Sequence, residues 1–118
     1  MESYPKTIIC DIDGTILYHY GELDRVILLP PSLLPGVLEK FNEWNAKGYY
    51  IILLTGRKES MRELTIKQLN SLGLYYDVLI MGAPRGERVI INDTKPDGSI
   101  TARAVPLERN KGLNTEDI

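Results

Sequence analysis

Apolar and polar positions change period several times along the chain. From Lys6 to Cys10 the residues are apolar and partly β-branched behind Pro5, the pattern of a short buried strand, and Asp11–Gly14 follows as its exit turn. Tyr18 to Leu29 is mixed. It holds Gly21, a charged cluster and Val26-Ile27-Leu28-Leu29, which reads as a hairpin strand or a flap, and Pro30-Pro31 closes it. From Val37 the period turns helical, with Val37, Leu38, Phe41 and Trp44 at 3–4 spacing, and Gly48 ends the run. Tyr49–Leu54 is continuously apolar, as a central parallel strand covered on both faces should be. Glu59–Leu72 is a second helix stopped by Gly73. Tyr76–Met81 and Arg88–Ile91 read as third and fourth strands, and Ala102–Leu107 as a fifth at an edge, since Pro106 cannot donate to a ladder. Glu108–Ile118 is polar and reads as a loose tail.

Strands alternating with helices predict a single α/β domain over 1–118, three-layered and Rossmann-like, with a mostly parallel sheet. Ligands in such sheets bind outside the carboxyl ends of the strands. Asp11 and Asp13, Thr55 and Arg57, and Asn92 and Asp93 all fall at predicted strand exits, so they are expected to converge on one sheet edge.

Composition narrows the function classes. With 118 residues, 43% of them hydrophobic and 25% charged, one real core is expected rather than disorder. The net charge of −2 sets up no field for nucleic acid or an anionic membrane, so a small anionic substrate needs local cations or a metal. A lone cysteine, Cys10, excludes an intrachain disulfide and suits a reducing cytoplasm. The N-terminal MESYPKTIIC lacks the basic region and long apolar core of a signal peptide, and no apolar run is long enough for a membrane span. A cytoplasmic protein is the expectation.

Two carboxylates two residues apart at a strand end are electrostatically costly, because each raises the pKa of the other. By strand alternation both would face one cavity, where a hard divalent cation such as Mg²⁺ is the simplest compensation and Asp93 a further ligand. The bland alternative is an Asx-turn with a helix cap. Backbone N–H groups of Gly14 and Thr15 are candidates for phosphate oxygens, and Arg57, behind Thr55-Gly56, for bidentate anion binding or for a capping or surface salt-bridge role. His19, Phe41 and Trp44 carry the bland readings: an exposed loop histidine and two core aromatics.

The order DIDGT after one apolar strand, LLTGR after a second and IIND after a later one resembles the haloacid dehalogenase-like superfamily of phosphohydrolases, from Ile8 to about Lys95. That resemblance implies an aspartyl-phosphate mechanism. Asp11 would be the nucleophile, Asp13 the general acid/base, and Thr55 the phosphoryl-binding hydroxyl. Asp11, the main-chain carbonyl of Asp13 and Asp93 would hold Mg²⁺. Gly56 falls in the same LTGR element.

The family's usual lysine is missing: Ala83 stands where it might be, leaving Arg85 and Lys95 as substitutes. Neither interval beside the motifs has room for a cap domain. The resemblance is therefore to capless members, whose lid comes from a neighbouring subunit or is absent. Expected partners are a small phosphorylated substrate and a possible homo-oligomer supplying a lid, with no membrane, and the modest negative charge weighs against nucleic acid. The leading function is an Mg²⁺-dependent phosphomonoesterase acting on a sugar phosphate, such as an intermediate of surface-polysaccharide synthesis. Alternatives are nucleotides or polynucleotide ends, or a non-catalytic Mg²⁺- or phosphate-binding module. A phospho-accepting receiver domain fails on motif order, because no Asp stands at Leu54–Thr55.

Overall fold

The computed structural model describes residues 4–21, 30–113 and 117–118, so most of the flap-like segment lies outside the described residues. Strand β1 (Thr7–Cys10) is followed by helix α1 (Val37–Ala46) and strand β2 (Tyr50–Leu54). A 3₁₀ turn (Glu59–Met61) then runs into helix α2 (Arg62–Ser71), and strand β3 (Val78–Ile80) follows. The strands form one parallel sheet in the order β1-β2-β3, with Thr7 opposite Tyr50 and Ile52 opposite Val78. This is a Rossmann-like α/β arrangement. No helix among the described residues is long and apolar enough to cross a membrane.

The helices form and stop where the apolar spacing places them. Val37, Phe41 and Trp44 are the buried face of α1, and the Phe41 and Trp44 rings pack with centroids 5.1 Å apart. Gly48 N–H donates to Asn45 O and Tyr49 N–H to Trp44 O, closing α1 and aiming the chain into β2. The same pair of bonds, Gly73 N–H to Asn70 O and Leu74 N–H to Leu69 O, closes α2 ahead of β3. Ile51 and Leu53 of β2 are fully buried and join Ile12, Ile16, Val37, Phe41 and Leu69 in the core, while Ile52 and Leu54, on the alternate positions, are only half-buried. The Asp77 carboxylate accepts the Ile51 N–H at 2.7 Å, and Arg62 donates to Leu79 O at 3.1 Å, fastening α2 to β3.

Three expectations are corrected. Arg88–Ile91 is not a strand: Val89 is 71% and Ile91 93% exposed. A short apolar run becomes a strand only when a ladder partner accepts it, and the sheet as described pairs only β1 with β2 and β2 with β3. Beyond that run, Thr94 bridges Ile100 instead, across a turn in which Gly98 N–H donates to Lys95 O. Ala102–Leu107 likewise forms no strand. The outer edge of β1 therefore faces an open groove.

The tail is not loose. Leu113 is 2% exposed within the core, its N–H donates to Pro35 O at 2.9 Å, and Leu107 and Ile118 pack against the same cluster. Polar composition hid this docking, because within the tail Leu113 and Ile118 are isolated apolar residues with no period.

Candidate active site

At the end of β1 the chain turns at once. The carbonyl of Ile12 accepts three amides, those of Thr15 (3.2 Å), Ile16 (2.9 Å) and Leu17 (3.1 Å). Strand alternation therefore stops at Cys10, and the two carboxylates diverge. Asp11 lines the groove beside β1, whereas Asp13 lines a water-sized chamber with Leu17, Tyr18, Tyr20, Arg57 and Gln68. The expectation that both face one cavity is corrected: it assumed extended backbone where a tight turn begins.

Asp11 sits in the groove with its Oδ2 accepting the Thr15 hydroxyl at 3.3 Å. Loss of surrounding water raises its pKa above the ordinary value, and the like charge of Asp13 adds to this. The amide of Ile12, the Arg88 guanidinium and the Thr15 hydroxyl oppose the rise without cancelling it. Cys10, next door, is a buried small hydrophobe as its sequence position suggested, with burial chiefly and the Asp11 charge secondarily pushing its thiol to about 12.

The Asp13 carboxylate is held by Arg57 in a two-pronged grip. Nε donates to Oδ2 and Nη2 to Oδ1, each at 2.8 Å. The other guanidinium nitrogen, Nη1, donates to Thr65 Oγ1 at 3.0 Å and to Gln68 Oε1 at 2.7 Å, both on α2. Arg57 is 1% exposed. Anion binding is not the role observed, and the salt bridge that is observed is buried rather than on the surface: the guanidinium is enclosed, with four of its hydrogen bonds going to Asp13, Thr65 and Gln68. Each Asp13 oxygen keeps a second lone pair, and the chamber, about 10 Å³, admits roughly one water.

Other anticipated residues fall elsewhere. Thr55 is 1% exposed, and its hydroxyl accepts the Arg57 N–H at 3.1 Å, closing the turn after β2 rather than lining either cavity. Gly56 stands exposed in that turn. The Gly14 and Thr15 amides are not open to phosphate: Gly14 N–H donates to Leu17 O at 2.7 Å and Thr15 N–H to Ile12 O. Arg85 and Lys95 are exposed and line neither cavity. Asn92 donates its side-chain amide to Thr101 Oγ1, and that hydroxyl donates to Asp93 O. His19 is half-buried, its Nδ1 accepting the Gly21 N–H at 2.9 Å.

The anticipated metal set is not assembled. Among the described residues no three His, Cys, Asp or Glu side chains gather as a metal site, and the exposed Asp93 lines neither cavity. Asp11 and the Asp13 carbonyl alone do not make the cage of six or more oxygens that a hard cation takes.

Sequence reasoning missed Arg88. Among the described residues, the groove, about 1210 Å³, is lined by Lys6, Arg88 and Arg103 as cations against Asp11 as the one acidic side chain, with Thr15, Asn92 and Thr101 as further polar groups. Arg88 is the first residue of the expected fourth strand, and with that strand absent it lines the groove together with Asp11, whose negative charge it favours. No local signal in the sequence marks it.

No protein-family model matches the chain, and no curated protein is significantly similar to it. Among solved structures, a chain of the Pnkp1/Rnl/Hen1 complex is 31% identical, with 74% of this chain and 31% of that chain covered and a TM-score of 0.60. A chain of the Pnkp1/Rnl/Hen1 RNA repair complex is likewise 31% identical, with coverage of 71% and 28% and a TM-score of 0.59. The protein thus spans about a third of the length of these two neighbours. A crystal structure of a target from Vibrio cholerae is 20% identical, covers 78% of this chain and 85% of its own, and has a TM-score of 0.51, a likeness of fold.

Proposed function

We propose that the protein is a haloacid dehalogenase-like phosphomonoester hydrolase in which Asp11 is the nucleophile. The observation that carries this reading is the placement of Asp11. It lies in a groove, with a hydroxyl donor on one oxygen and the positive charge of Arg88 in the same groove acting on it, while the second carboxylate is held apart by Arg57. A carboxylate nucleophile splits one difficult displacement into two easier ones. Repulsion between Asp11 and an incoming phosphate is the main electrostatic obstacle. At ~4 Å, two unit charges interact by about 4 kcal/mol at an effective dielectric of 20. Arg88, with Lys6 and Arg103 farther along the groove, offsets that repulsion.

In the first step an Asp11 oxygen bonds to phosphorus and the ester P–O bond breaks. The leaving oxygen takes a proton from water in the groove, because Asp13, ion-paired to Arg57 in the separate chamber, does not line the groove with Asp11. In the second step water attacks the aspartyl phosphate, gives up a proton to solvent, and releases phosphate with the Asp11 carboxylate restored. Mg²⁺ dependence belongs to the proposal as a matter for measurement, and no step above is routed through it.

A specific observation favours a phosphorylated polynucleotide end over a small sugar phosphate. The groove exceeds the ~300–1,000 Å³ typical of small-molecule pockets and has three cations among its described lining residues. The neighbours from an RNA repair complex point the same way.

The test is phosphate release from a 3′-phosphorylated oligonucleotide, a 5′-phosphorylated one, a panel of sugar phosphates and a generic aryl phosphate. Each is run with Mg²⁺, with EDTA and with Asp11→Asn. Turnover abolished by Asp11→Asn supports the phosphatase, and an oligonucleotide as best substrate supports the second reading. Silence across the panel in a folded protein overturns catalysis and leaves a phosphate-binding module.

A further inference from the structure

The stretch Glu108–Leu113 lies across the loop that follows β1, and the catalytic reading gives it no part. Its anchor is Leu113, buried in the core, with Gly112 pressed so closely on Pro35 that an added Cβ would stand 2.1 Å from the Pro35 carbonyl oxygen. From there the chain reaches back to the turn that carries Asp13 and Gly14. Asn110 has φ +65°, the one non-glycine residue with positive φ among those described. Asparagine tolerates that region because its side chain is short and polar.

Asn110 makes three long-range hydrogen bonds. Its N–H donates to Gly14 O at 2.8 Å. Its side-chain amide brackets the main chain of His19, with Oδ1 accepting the His19 N–H at 2.7 Å and Nδ2 donating to His19 O at 3.3 Å. Beside it, the Arg109 side chain covers Gly14 so closely that a Cβ there would lie 3.1 Å from Arg109 Cγ. The other amides of the loop bond within it, apart from Tyr18 N–H to Ser32 O. Asn110 therefore references both ends of the Gly14–His19 loop to one distant point.

We infer that Glu108–Leu113 is a strap that sets the geometry of the Asp13–Gly14 turn, with Asn110 as its positioning residue. This rests on the phosphatase reading for its consequence, but the clasp itself is independent of it. A positioning group acts by holding reacting atoms within a fraction of an ångström, so its loss lowers kcat more than it raises KM.

Asn110→Gly keeps the left-handed backbone and the bond to Gly14 but deletes the bracket on His19. Amide hydrogen exchange resolved over residues 12–21 and over β2 is measured beside kcat and KM on whichever substrate the panel identifies. The expected result is His19 exchange faster by about tenfold, β2 exchange unchanged, and kcat lower by about tenfold with KM nearly constant. Asn110→Asp, which retains the oxygen acceptor, recovers part of both losses. Lys111→Ala, an exposed side chain on the same strap, changes neither. Wild-type exchange and kcat in Asn110→Gly would overturn the inference, as would faster exchange throughout β2, which marks a merely structural role. If the wild-type protein turns over no substrate, the catalytic reading fails, and the His19-versus-β2 exchange contrast still decides the clasp.

Discussion

Replacing Arg57 by leucine removes the donor of four hydrogen bonds at once. Two go to the Asp13 carboxylate at 2.8 Å, one to Thr65 Oγ1 at 3.0 Å and one to Gln68 Oε1 at 2.7 Å. The Asp13 side chain is 10% exposed, so its charge would be left with little water to replace the guanidinium. Breaking one partner of a buried ion pair costs about 3–5 kcal/mol. The residual exposure of Asp13 places this site toward the lower end, about 3 kcal/mol. That is a large share of the ~5–15 kcal/mol by which a domain is stable. The assay is urea unfolding followed by fluorescence of Trp44, the one tryptophan, itself 1% exposed. Arg57→Lys, which keeps the charge but loses the fork, should cost about 2 kcal/mol. The decisive comparison is Arg57→Leu with Asp13→Asn. Once the orphaned charge is gone, the double variant should be more stable than the sum of the two losses by about 1–2 kcal/mol. A cost below ~1 kcal/mol for Arg57→Leu, or strict additivity in the cycle, would refute the reasoning.

Three further outcomes follow from the same structure. The folded pKa of Asp11 lies above its unfolded value, so the native state binds more protons just above the ordinary carboxylate range and stability falls as pH rises through that window. Asp11→Asn should therefore melt higher than wild type at pH 7, with the gap closing as the pH drops below the unfolded value; equal melting temperatures at every pH would contradict this. Gly112→Ala combines φ +87° with a Cβ driven onto Pro35, and should lose roughly 2–4 kcal/mol in urea unfolding, where a loose tail would lose none. Arg88→Gln should weaken inhibition by inorganic phosphate about tenfold, read from competition kinetics, whereas Arg85→Gln and Lys95→Gln should leave it unchanged.

What the sequence by itself determined is local. The helix spacing of Val37, Phe41 and Trp44, the glycines that stop both helices, and the apolar strands at Thr7–Cys10 and Tyr50–Leu54 are all set by residues within a few positions of one another. Local chemistry also singled out Asp11 and Asp13 as a costly pair needing an explanation. Tertiary structure decided everything that depends on distant partners. Arg88–Ile91 has the composition of a strand, but a strand exists only through its ladder, and the chain that follows pairs with itself. Arg57 carries the charge for binding substrate, yet α2 brings Thr65 and Gln68 to its far side and encloses it as the holder of Asp13. The polar tail became a strap because one leucine finds the core and one asparagine finds a main-chain loop 91 residues away. Period and composition register the average environment of a segment, whereas a hydrogen bond across the fold depends on where two single atoms are brought.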